Sequence, residues 1–171
     1  MRRSGSWRRR VVLTSGGAGF VALLMGVTGG IARAQVENAR DVWSWVDAYY
    51  ADYGAMSAAP TGPAMDRWLA RYASSVFFED PTLGQSAVGR DTIRKAFVEA
   101  FTSSMGPVRW TILRRAASAD WAAVEGWVEG TLNGDPFRTR FSTWLKIEDG
   151  QIVHQIDYVD YTPMRRQTSP K

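Results

Sequence analysis

The chain has 171 residues, with 21 basic and 17 acidic side chains, one histidine and no cysteine. That inventory excludes a disulfide framework and thiol chemistry, and a lone histidine argues against a zinc centre, so no metal is expected. Residues 1–34 hold six of the basic residues and none of the acids, which leaves 15 basic against 17 acidic residues, a net charge of −2, on the other 137; bulk charge therefore points to no nucleic-acid partner.

The first 34 residues run in the order basic, apolar, small. Arg2, Arg3, Arg8, Arg9 and Arg10 precede an uncharged stretch from Val11 to Ile31, and Ala32-Arg33-Ala34 then offers an A-x-A cleavage pattern ahead of Gln35. This predicts a cleaved export signal over residues 1–34 and a periplasmic or extracellular destination. The alternative is a retained membrane anchor, which Gly16, Gly17, Gly19, Gly26, Gly29 and Gly30 disfavour, since each costs roughly 1 kcal/mol in a helix against alanine. No stable membrane span is expected once the signal is gone. Arg9-Arg10-Val11-Val12-Leu13 resembles a twin-arginine export signal; an ordinary basic leader is the other reading.

The predicted domain covers residues 35–162. Val42, Trp45, Val46, Tyr49, Tyr50 and Tyr53 recur at spacings of three and four, which predicts a helix from Val36 to Tyr53, ended by Gly54. Residues 55–62 are small, include Pro60 and read as a loop. Pro63 suits a first helical turn, and Met65, Trp68, Leu69 and Tyr72 mark a second helix to about Ala73. Val76-Phe77-Phe78 reads as a short strand edge, stopped by Glu79-Asp80-Pro81, and residues 83–89 read as a loop. A third helix starts at Arg90 or Asp91, with Asp91 a good N-cap type, and carries Ile93, Ala96, Phe97, Ala100 and Phe101 on one face. After Met105-Gly106-Pro107 the apolar period changes to two. Strands are predicted over 108–116, 121–132, 137–147 and 151–161, with turns at Asp120, Asn133-Gly134-Asp135-Pro136 and Glu148-Asp149-Gly150. From Thr162 a loose tail is expected, residues 163–171 lying outside the domain.

Helices ahead of a meander predict an α+β domain in which three N-terminal helices cover one face of a curved, mostly antiparallel sheet. Phe77-Phe78-Glu79-Asp80-Pro81, followed by Gly89-Arg90-Asp91-Thr92-Ile93, resembles the nuclear transport factor 2-like superfamily, in particular its SnoaL-like branch. Glu148-Asp149-Gly150-Gln151-Ile152-Val153 and Ile156-Asp157-Tyr158-Val159-Asp160 extend the likeness, which spans nearly all of Val36–Tyr161. The resemblance implies a cone-shaped fold around a deep pocket, a homodimer, and chemistry without a cofactor. The branch contains ketosteroid isomerases, limonene epoxide hydrolases, polyketide cyclases and scytalone dehydratases, so the site has to be argued on its own residues.

Two carboxylates are candidate catalytic groups. Asp80 matches the E-D-P stretch whose aspartate is the general base of the ketosteroid isomerases, so the resemblance implies proton abstraction next to a carbonyl by a carboxylate set among apolar walls. Those enzymes also use a first-helix tyrosine, which Tyr49, Tyr50 or Tyr53 could supply, and a late-strand acid near Ser142 or Thr143, where no acid stands. The alternative role of Asp80 is a turn or cap before Pro81. Asp157 matches the first aspartate of the D-Y-F-D stretch of limonene epoxide hydrolases, but the matching earlier strand, Ala123-Val124-Glu125-Gly126-Trp127, lacks their arginine; Arg138 or Arg140 would have to reach in from the next strand.

Alternation sets Glu125, Trp127 and Glu129 on one face of their strand, and Val153, Gln155, Asp157, Val159 and Tyr161 on one face of the last. If both faces line the cavity, paired carboxylates there would split into one acid and one base; otherwise the glutamates face water. The predicted lining is Tyr49, Tyr53, Trp68, Glu125, Trp127, Glu129, Trp144 and Tyr161. His154 falls on the face opposite Asp157, as a structural or surface group. The function expected is binding of a small, apolar, oxygenated ligand, with cofactor-independent isomerisation, cyclisation or hydrolysis. A non-catalytic binding module and a dimerising accessory domain are the alternatives.

Overall fold

The computed structural model describes residues 41–167. The predicted export signal at residues 1–34 lies outside them. In chain order the elements are α1 (41–58), α2 (Pro63–Leu69), β1 (Tyr72–Asp80), β2 (Gln85–Val88), α3 (Arg90–Ser103), β3 (Arg109–Ala117), β4 (Trp121–Leu132), β5 (Asp135–Glu148), β6 (Gln151–Val159) and α4 (Tyr161–Gln167). The six strands form one sheet in the order β2-β1-β6-β5-β4-β3. The class is α+β, a curved sheet with α1, α2 and α3 as expected and one further helix, α4.

α1 buries Val46, Tyr49, Tyr50, Tyr53 and Met56 along a single face. It runs through Gly54 rather than ending there. Burial of Met56 and the bond from the Val108 amide to Ser57 Oγ (3.0 Å) outweigh the glycine's helix penalty of about 1 kcal/mol. α2 stops at Leu69, short of the expected Ala73, because Tyr72 already belongs to β1. α3 is capped by Gly89 at φ 83°, while Asp91 lies inside the first turn, where its charge suits the helix dipole.

The strands β3 to β6 form the expected antiparallel meander. Asn133-Gly134 (φ 54° and 89°) and Asp149-Gly150 (φ 50° and 74°) make two-residue turns with positive φ at both positions, which match the twist of the strands they join. Gly126 sits where β3 and β4 slip register: a Cβ there would lie 2.0 Å from the Thr111 carbonyl oxygen.

The first half of the sheet differs from expectation. β1 is nine residues long, pairs antiparallel with β2 and parallel with β6, and so lies inside the sheet. β2 replaces part of the expected loop at 83–89. Its residues are exposed or half-buried and carry no alternating pattern, so backbone pairing with β1 is what makes it a strand. The expected tail at 163–171 is a correction too. Residues 163–167 belong to α4, which Met164 holds down with its buried side chain while Gln167 Oε1 accepts the Arg138 amide (2.8 Å).

Candidate active site

The inner face of the sheet, α3 and α4 enclose a cavity of about 290 Å³. Its walls are largely apolar, with Phe78, Phe97, Phe101, Trp110 and Phe137 the aromatic part and Ile93, Met105, Val108, Val128, Val159 and Met164 the aliphatic part. Tyr53 and Tyr161 add phenols, and Gln85 and Ser86 lie at the β2 side. Among the described residues, Asp80 and Asp157 are the carboxylates of the wall, and no lysine, arginine or histidine lines it.

The parallel pairing of β1 with β6 brings the carboxylates together. Phe78 is the Cα partner of Gln155, and Glu79 of Ile156; one step further along that register stand Asp80 and Asp157. Both are buried, with 6% and 8% of their surface exposed.

Their surroundings differ. Asp80 Oδ1 accepts the backbone amides of Thr82 (3.0 Å) and Leu83 (3.1 Å), which fixes the turn after β1, and Oδ2 accepts the Tyr161 hydroxyl (2.6 Å). Asp157 accepts two side-chain bonds, from Thr143 Oγ1 to Oδ1 (2.6 Å) and from Gln155 Nε2 to Oδ2 (2.9 Å). Burial pushes the Asp157 carboxyl up to about 7; the bonds from Thr143 and Gln155 oppose that rise and the charge of Asp80 adds to it. Burial likewise raises Tyr49, Tyr50, Tyr53, Tyr72 and Tyr161, so all five phenols keep their protons.

Behind Asp157 lies a chain of polar groups that orients it. Gln155 Oε1 accepts from Tyr49 (3.1 Å) and Tyr72 (2.9 Å), whose hydroxyls are 2.9 Å apart. Two phenols that stay protonated occupy the amide oxygen, so the Gln155 NH₂ must face the carboxylate. Thr143 and Asp157 are Cα partners across β5 and β6, which places the hydroxyl directly beside the carboxyl.

Of the predicted lining, Tyr53 and Tyr161 reach the cavity with the two aspartates. Tyr49 and Trp68 do not: both are fully buried in the core, and Tyr49 is hydrogen-bonded to the site through Gln155. Glu125, Trp127, Glu129 and Trp144 lie on the outer face of the sheet. β4 turns its small residues inward, with Ala122, Val124 and Val128 buried. Alternation fixes which side chains share a face, not which face meets the core. Glu125 instead pairs with Arg114 and Arg140 (both 3.1 Å), and Glu129 with Arg109 and with Arg138 (2.8 Å). Trp127 lies under the guanidinium groups of Arg138 (4.2 Å) and Arg140 (5.0 Å), and Trp144 is 48% exposed. These pairings turn Arg138 and Arg140 away from Asp157, so the acid–arginine–acid set of the epoxide hydrolases is not assembled. His154 also lies outside the cavity, its Nε2 2.6 Å from Glu79 Oε1.

Sequence reasoning missed Thr143 and Gln155 as partners of Asp157. Gln155 shares the face of Asp157 two residues away, and that was the signal available for it.

The sequence profile of the SnoaL-like domain matches residues 46–155. The chain belongs to the SnoaL-like family. Its cavity, curved sheet and helices are those of the nuclear transport factor 2-like cone. A candidate polyketide cyclase from Xanthomonas campestris pv. campestris is similar in fold, at 21% identity over 77% of this chain and 99% of that one, with a TM-score of 0.64. So is a protein of ketosteroid isomerase-like fold from Catenulispora acidiphila, solved with trimethylamine, at 22% identity over 68% and 91%, TM-score 0.58. An LEH-like epoxide hydrolase from M. tuberculosis aligns at 16% identity over 70% and 87%, TM-score 0.54. Among curated proteins, nothing matches this SnoaL-like chain significantly.

Proposed function

We propose that this protein binds a compact, apolar, oxygenated molecule in the cavity and moves a proton on it with Asp157. One observation carries the reading: a carboxyl buried in an apolar wall, beside a second carboxylate and titrating near 7. A group of that pKa has both its acid and base forms populated at neutral pH, as proton transfer in both directions requires. As base, Asp157 would take a proton from carbon next to a carbonyl, leaving the electron pair on the enolate, and would return the proton to a different atom. Isomerisation or cyclisation fits this better than epoxide hydrolysis, because Arg138 and Arg140 are engaged outside the cavity.

The test is hydrogen–deuterium exchange of a small cyclic ketone, cyclohexanone, in D₂O, followed by NMR. The expected result is catalysed exchange that rises through pH 7 and is lost in Asp157→Asn. Cyclohexanone that binds but exchanges no faster than in buffer would overturn the catalytic reading. A non-catalytic carrier is the second reading. It is favoured by Asp80, whose Oδ1 is taken up by two backbone amides as in an aspartate that only shapes a turn.

A further inference from the structure

Each carboxylate offers about four lone-pair positions to hydrogen-bond donors. Among the described residues Asp80 accepts three bonds and Asp157 two, which leaves one open position on the first and two on the second. The described walls supply no lysine, arginine or histidine to fill them or to offset the charge. They supply aromatic rings instead: Phe78, Phe97, Phe101, Trp110 and Phe137. An apolar cavity with unfilled acceptors and no counter-charge is complementary to a cation whose body is apolar.

We infer that the cavity recognises a primary alkylammonium, with the NH₃⁺ group between Asp80 and Asp157 and the alkyl body against the aromatic wall. The three N–H donors of such a group equal the open acceptor positions in number. A carboxylate or phosphate would meet two acids with no donor of opposite charge. This goes beyond the proton-transfer reading, since it concerns what the site holds whether or not the site turns over.

The groups facing Asp157 are Asp80 and Tyr72 from β1, Tyr49, Tyr50 and Tyr53 from α1, and Tyr161 from α4, and of these only Asp80 carries charge. Capture of a cation therefore couples to loss of the Asp157 proton. Affinity should rise about tenfold from pH 6 to pH 8, as the carboxyl passes its own pKa of about 7.

Calorimetric titration of the full chain with three probes of one shape tests this: cyclohexylammonium, cyclohexanol and cyclohexanecarboxylate. At pH 8 the ammonium should bind about tenfold or more tightly than the alcohol, with the carboxylate weakest, because hydrogen bonds to charged groups are the stronger ones. Its advantage should shrink at pH 6. Tightest binding of the alcohol would overturn the inference while leaving proton transfer on a neutral substrate in place. Equal binding of all three, or of the carboxylate above the others, would overturn it together with the assignment of the two acids to the cavity.

Discussion

Replacing Asp157 with asparagine isolates the cost of a buried carboxyl. In the unfolded chain this group titrates at about 3.8, and in the folded protein at about 7. The folded state thus holds the proton more tightly, and between those two values stability falls as pH rises. From pH 5 to pH 8 the folded chain gives up about two pKa units of that advantage, roughly 3 kcal/mol of unfolding free energy at 1.36 kcal/mol per unit. The asparagine variant has no proton to lose at this position, so its unfolding free energy should lack this decline. Urea unfolding of both proteins at pH 5, 6, 7 and 8, monitored by tryptophan fluorescence, measures the difference. The gap between the two proteins should shift by roughly 3 kcal/mol from pH 5 to pH 8, in favour of the variant, and most of that shift should be complete by pH 7. All other titratable groups are common to both proteins and cancel. Gln155→Leu supplies a second arm. It removes a bond that lowers the Asp157 carboxyl, so the decline should continue to higher pH than in the parent. Parallel curves for parent and Asp157→Asn would refute the reasoning, by showing that the carboxyl is solvated in the folded state.

Two further outcomes follow from surface and leader. The outer sheet face exposes Phe77 (37%), Trp144 (48%) and Tyr158 (46%), and the family resemblance implies a homodimer, so the protein should sediment at twice its monomer mass, with Trp144→Glu monomeric; a monomeric parent, or a variant that stays dimeric, would rule that face out. N-terminal sequencing of the protein recovered from the cell envelope should begin at Gln35, and a chain that keeps residues 1–34 would point to an anchor instead.

The legible parts of the fold are those whose signals are local. Positive-φ turns at Asn133-Gly134 and Asp149-Gly150 announce the meander, and the apolar stripe from Val46 to Tyr53 announces α1. β2 escapes such reading because Gln85–Val88 has no alternating pattern and becomes a strand only by pairing with β1. The early course of β1 escapes because its register against β6 shifts between Tyr72 and Phe77, which interrupts the alternation that would mark a strand. The polarity of β4 escapes for another reason: Trp127 and the two glutamates are the larger residues, and only the assembled sheet shows Arg138 and Arg140 covering them from outside.

The candidate site depends on a strand pairing that local pattern does not reveal. Asp80 and Asp157 are 77 positions apart in sequence and come together only because β1 runs parallel to β6, with Glu79 set against Ile156. With Glu79 opposed to Ile156 in an antiparallel pair, Asp80 would stand opposite Gln155 and Asp157 opposite Phe78, which sets the two acids diagonally instead of side by side. In the parallel arrangement they end side by side at one end, against the apolar cavity. Their unequal settings then follow from position. Asp80 is the last residue of β1, so the turn beyond it offers the amides of Thr82 and Leu83. Asp157 lies within β6, where the neighbouring amides belong to the sheet, and only side chains, Thr143 and Gln155, are available to it. Two backbone amides and the Tyr161 hydroxyl thus serve Asp80 and side-chain donors alone serve Asp157, and the second is left as the group whose proton responds near neutral pH.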